Sequence, residues 1–174
     1  MELMTLVYCL PLSVILLLMG IVLIIWKETD LVLSPYPNAI GWWKTTNIVL
    51  ALGSVGLILY STILTREVGE REVMLIPFHF LTRVPTDNEA IRTVLMNLFL
   101  FFPLGLTAGR GLCDKLSPVK RVAFVTAIGL LLSVTVESIQ YVFELGNVEA
   151  DDLIANTAGA WLGAYGQGLH RKSE

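Results

Sequence analysis

Five long apolar runs, a low charge content and the lack of alternating short strands predict an all-α fold, a polytopic membrane protein built as a bundle of five transmembrane helices. The 174 residues are 55% hydrophobic and 16% charged, whereas soluble domains average roughly 25% charged. Mean hydropathy is +0.70. A membrane barrel would show short alternating segments separated by polar turns, and none is present. The net charge of −3 gives no reason to expect a nucleic-acid partner. The two cysteines, Cys9 in an apolar run and Cys113 in a basic loop, do not suggest a disulfide framework.

Crossing the hydrocarbon core takes about 20 apolar residues. The first segment that qualifies is Leu3 to Trp26, with no charge in 24 residues. It lacks the basic start and small-residue cleavage site of a signal peptide, so we read it as a retained helix. Trp26, Trp42 and Trp43 flank the first loop as interface anchors would. The second segment is Thr45 to Thr65. The loop after it, Arg66 to Arg92, is long for a helix connection. Within it, Val73 to Leu81 is apolar but too short to span, which predicts an interfacial or re-entrant segment, broken by Pro77 and Pro85. The third segment is Thr93 to Gly109, with Pro103 inside it. The fourth, Val122 to Phe143, carries Glu137, and the fifth runs from Leu153 to Leu169.

Basic residues set orientation through their excess on the cytoplasmic side. With the N-terminus outside and the C-terminus inside, eight lysines and arginines face the cytoplasm and four face outward. The reverse orientation inverts that ratio, so N-terminus out is expected.

Glu137 is the most informative residue. An ionisable group within a membrane segment is expensive and usually has a function or a partner. Ser133, Gln140 and Tyr141 lie on neighbouring turns of the same helix. With a helical rise of about 1.5 Å per residue, Asn97 lies roughly 7 Å into the third segment, Glu137 roughly 10 Å from the end of the fourth, and Asn156 roughly 6 Å into the fifth. The helices alternate in direction, so Asn97, Glu137, Gln140 and Asn156 are expected in one layer near the second and fourth loops. Ala155, Gly159 and Gly163 form a small-residue stripe expected to pack the fifth helix against the fourth. Asp151 and Asp152 precede that helix and suit its N-terminal end as caps. Gln140 and Asn97 also suit a purely structural role between helices, and Glu137 that of a buried structural carboxylate.

The stretches Asn97-Leu98-Phe99-Leu100-Phe101-Phe102-Pro103-Leu104-Gly105, Ser133 to Gln140 and Asp151 to Ala160 resemble, in order, the N-x-x-x-F-x-P-x-G, S-x-x-x-E-x-x-Q and D-D-x-x-x-N-T-x-G-A motifs of the VanZ family. Ile76-Pro77-Phe78 resembles a short motif that precedes them. The resemblance implies residues 1–44 as an N-terminal helix and loop, and 45–174 as a VanZ-like membrane domain. It also implies a multi-pass protein of the bacterial cytoplasmic membrane and a link to teicoplanin, a lipid-tailed glycopeptide antibiotic. Members often carry an arginine and an aspartate in the turn before the double aspartate. Here Gly146 and Glu149 stand there. The missing cation is expected from the long loop, as Arg83 or Arg92.

Two function classes follow. In the first, Asn97, Glu137, Gln140, Asp152, Asn156 and Arg83 form a polar pocket that binds a lipid-tailed glycopeptide or a lipid-linked envelope precursor at the outer leaflet, among membrane lipids. In the second, Glu137 is the general acid or base of an intramembrane enzyme, with Asp152 as a second carboxylate. Neither His79 nor His170 completes a nucleophile constellation, and metal-ligand spacing and a Gly-rich phosphate loop are missing from the sequence. No cofactor or metal is expected. A transporter is disfavoured for want of an internal repeat.

Overall fold

The computed structural model describes residues 12–66, 68–69, 72–83, 88–113 and 115–168. The start of the first expected crossing, with Cys9, lies outside them, as do Arg71, Pro85, Leu169, His170 and the C-terminal basic pair. The described chain is almost entirely helical. Helix α1 spans Leu12–Leu33, and α2 spans Pro37–Leu59 and ends in a π-helical turn, Tyr60–Leu64. Strand β1 (Val73–Met74) and the single turn α3 (Phe80–Arg83) follow. Helices α4 (Asn88–Leu112) and α5 (Pro118–Phe143), strand β2 (Val148–Glu149) and helix α6 (Ala150–Gly168) complete the fold.

Among the described residues, three helices are long and apolar enough to cross a membrane: Pro37–Leu64, Ala90–Leu112 and Pro118–Phe143. They make this a membrane protein. Helix α6 has 19 residues, but Asp151, Asp152, Asn156 and Gln167 all lie on it and all are buried. Its polar side chains are turned inward, so it serves as the inner helix of the bundle.

The small-residue stripe has a different partner from the one expected. A Cβ at Gly159 would collide with the Leu98 carbonyl, and one at Gly163 with the carbonyl of Phe102, both on α4. Gly105 of α4 likewise leaves room for the backbone of Ala160. The closest backbone approach is therefore α6 on α4, because both helices carry glycine at the crossing. Toward α5, the methyl group of Ala160 fills the space over Gly129. Around this crossing Ile58, Phe101, Leu104, Ala108, Val125, Val136 and Ala164 form the core.

The expected first loop shrinks to Ser34–Tyr36, because Lys27 lies in α1 and Lys44 in α2. Pro37 opens α2 at a position where a missing N–H costs nothing. Trp26 is buried and donates to Asn47 Oδ1 at 2.7 Å, which makes it a helix–helix contact rather than an interface anchor. Trp43 donates to Asp30 at 2.8 Å, and Asp30 also pairs with Arg110 at 2.8 Å, which pins α1 to α4. Trp42 is 77% exposed, as an anchor would be.

The apolar piece of the second loop becomes β1, a turn and α3. Strand β1 pairs in parallel with β2, in the register Val73 with Val148 and Met74 with Glu149. This short ribbon joins the second and fourth loops. Leu75, Ile76, Phe78 and Leu81 project outward from it.

Candidate functional site

The site lies where the ribbon meets the ends of α5 and α6. Its scaffold starts at the end of α2. In the π-helical turn the Thr65 N–H bonds to Tyr60 O at 3.1 Å, one residue further back than in an α-helix. The Thr62 carbonyl accepts instead from Gln140 Nε2 at 2.9 Å. Gln140 is 2% exposed, and its own carbonyl accepts from Leu145 N at 3.0 Å, which closes α5. Glu144 then turns the chain through φ 54 and Gly146 through φ 104. The second angle is one that side chains other than glycine rarely adopt.

Four carboxylates gather beyond this turn, each with its own partner. Asp151 accepts from Phe78 N at 2.5 Å and Phe80 N at 2.7 Å. It thereby holds the second loop and steadies Phe78 at φ 61, an uncommon conformation for a bulky residue. The side-chain cap expected for Asp151 on its own helix is thus replaced by a clamp on a distant loop. Asp152 accepts from Asn97 Nδ2 at 2.6 Å. Burial pushes its carboxyl up to about 6; the negative charge of Glu149 adds to the shift, Arg66 opposes it, Asp151 adds to it, and the Asn97 hydrogen bond opposes it. Glu149 pairs with Arg83 at 2.8 Å, and its backbone N–H donates to the Glu137 carboxylate. Glu137 Oε2 is buried and has no hydrogen bond among the described residues.

The polar residues expected in one layer pair with other groups than expected. Asn97 meets Asp152 and not Glu137. Asn156 donates to Ser133 Oγ at 2.9 Å and not to Glu137 or Gln140. Gln140 reaches α2. These three amides tie helices together, because each sits where a buried polar group of a neighbouring helix needs a partner.

Two cavities open on the carboxylates. One, about 90 Å³, is a polar chamber lined by Arg83, Thr93, Glu149, Asp151 and Asp152 with Phe80 and Val94. The other is an open groove of about 360 Å³. Its walls are apolar, from Leu75, Val134, Val142, Val148 and Leu153, and Glu137 and Glu149 are its charged lining residues. Val134, Tyr141 and Val142 continue onto the exposed face of α5. Glu149 lines both spaces. Asn97, Gln140 and Asn156 line neither. No cluster of three or more metal-ligating side chains occurs among the described residues.

Sequence reasoning missed Arg66. Its Nη1 lies 2.9 Å from where a Cβ of Gly146 would stand. Its charge reaches both Glu137 and Asp152. A cation from the end of α2 thus stands beside the turn before the double aspartate, while Arg83 serves Glu149. The signal was the glycine itself, an empty place beside an acidic cluster; which of several loop cations fills it depends on the register of the α2 end.

A family model described as VanZ/LLP1 matches residues 45–169. Protein VanZ of Enterococcus faecium is 32% identical over 103 residues, covering 59% of this chain and 56% of that protein. The match thus spans little more than half the length of that relative. No solved structure matches the chain.

Proposed function

Because the chain belongs to the VanZ/LLP1 family, we propose that it is a multi-pass protein of the bacterial cytoplasmic membrane that binds a lipid-tailed glycopeptide or a lipid-linked envelope precursor and contributes to teicoplanin-type resistance. One observation carries this reading: Glu137, with an unpartnered carboxylate oxygen, lines an apolar groove continuous with the exposed face of α5 and adjoining a polar chamber at Glu149. A hydrocarbon tail fits the groove, and the polar part of the ligand meets Glu137, Arg83 and Asp152. With the N-terminus outside, the site faces the outer leaflet, where such amphiphiles arrive. Leaving a buried polar atom unmatched costs about 1–3 kcal/mol, so a few such contacts suffice to select a ligand.

Native mass spectrometry of the purified protein with a lipid-tailed glycopeptide and with the same core lacking its tail tests the reading. We expect retention of the tailed form only, and loss of both retention and resistance in a folded Glu137→Gln variant. Unchanged susceptibility in that variant would sink the proposal. A second reading rests on Glu137 and Asp152 lying within each other's electrostatic reach: paired carboxylates can divide acid and base roles on a lipid-linked substrate. Turnover of such a substrate by the wild type, lost in Glu137→Gln, would favour this enzyme over a binding protein.

A further inference from the structure

We propose that the segment Val73 to Leu81 dips into the hydrocarbon of the bilayer as an apolar wedge beside the last turns of α5, and that Asp151 is the positioning residue that holds it there. The partner of this surface is lipid acyl chain. The seat is independent of what the groove binds and of which leaflet the site faces.

Depth follows from pairing. Strand β2 runs back from the end of α5 into α6, and its Glu149 N–H meets the carboxylate of Glu137. Glu137 lies six residues before Phe143, the end of the crossing, or roughly 9 Å inside it at the helical rise. Strand β1 is parallel to β2 with Met74 opposite Glu149. It therefore advances in the same direction, toward the membrane interior, and Leu75 comes one residue beyond that level. The polar end of the ribbon stays outside. There Glu72 N donates to Asn147 Oδ1 at 3.2 Å and Gly69 N to Glu144 O at 3.0 Å, and Glu72, Glu144 and Asn147 are exposed.

The apolar end carries Leu75, Ile76, Phe78 and Leu81, each more than half exposed. A cluster of this kind marks an interaction surface. Leu75 shares the groove with Val134 and Val142, which are exposed on a helix that crosses the membrane. The wedge thus continues a surface that acyl chains already cover, and this continuity selects lipid over a second copy or another protein.

Backbone N–H groups in hydrocarbon need partners. Pro77 has none to satisfy. Asp151 Oδ1 accepts from Phe78 and Oδ2 from Phe80, while Leu81 and Thr82 donate to the Phe78 and His79 carbonyls at 3.1 and 3.0 Å. The clamp fastens the returning limb to the first turn of α6. That limb carries Phe80 and Arg83 into the lining of the polar chamber, so the membrane seat of the wedge also sets one wall of the chamber.

The test is spin labelling of single cysteines in the full chain in nanodiscs, in a background lacking the native cysteines. Collisions with oxygen, which concentrates in hydrocarbon, and with a water-soluble nickel chelate report depth. A label at Ile76 is expected to match one at Val134, rich in oxygen and poor in chelate. Labels at Glu72 and Asn147 are expected to show the reverse. An Ile76 label as open to chelate as the Glu72 label overturns the proposal, because the wedge then stands in water. A label shielded from both reagents overturns it in favour of a protein partner. Asp151→Asn keeps one acceptor oxygen where the clamp uses two. It is expected to shift the Ile76 label toward chelate and raise its mobility, with the Val134 label unchanged. An Ile76 depth that Asp151→Asn leaves unmoved overturns the role of Asp151.

Discussion

Asp152 shows how a single side chain trades stability for a site. Its carboxyl is pushed from an ordinary value of 3.8 up to about 6 in the folded protein, chiefly by burial. The folded state therefore holds this proton more tightly than the unfolded chain does. Its contribution to stability is complete below the unfolded value and is lost as pH rises through the folded one. Asp152→Asn keeps an acceptor for Asn97 and removes the charge. The variant should melt higher than wild type at about pH 8, by roughly 1–3 kcal/mol, and show no advantage at about pH 4. Thermal melts in detergent at both values decide the matter, and an advantage independent of pH would show that charge is not the cause. Residue identity was legible at this scale and partnership was not. Glu137, Asp152 and Asn97 announce themselves as polar groups in or beside apolar runs. That Asn97 serves Asp152, and Asn156 serves Ser133, depends on helix rotation, which spacing along one helix does not define.

At the scale of elements, the glycines of α6 fix its approach to α4. The backbones come close enough that a Cβ at Gly163 would meet the backbone of Phe102, Gly105 and Leu106. A clash with backbone has no cheap relief, since no side chain can swing aside. Gly163→Val should cost more than about 3 kcal/mol or abolish the folded yield. Gly53→Ala on α2, where nothing lies within 4 Å of the added methyl, should be neutral or slightly stabilising. Size-exclusion profiles and melts of the two variants give the comparison; equal losses would refute the crossing. The stripe was visible in the sequence, but its partner was assigned to the wrong helix. Both neighbours carry small residues, Gly105 on α4 and Gly129 on α5, so composition left the choice open and helix rotation decided it.

The whole molecule poses the question of orientation. The ribbon and the carboxylate cluster share one end of the bundle with the ends of α2 and α5, and the turn between α4 and α5 lies at the other. With the N-terminus outside, a membrane-impermeant thiol reagent on intact cells should label Val68→Cys and leave Lys115→Cys unlabelled in a background lacking the native cysteines. Both positions are exposed, so the reverse pattern would invert the topology and move the site to the cytoplasmic leaflet. The sequence by itself determined the class of the protein, the helices at its heart and the residues worth watching, because hydropathy along a chain reports directly on the cost of leaving water. Only the tertiary structure decided that α6 is an inner helix, that the second loop pairs with the fourth as a ribbon, and that Arg66 fills the space over Gly146. Each of these joins residues far apart in the chain, and such contacts are set by how helices rotate and cross rather than by any property of the segments taken singly.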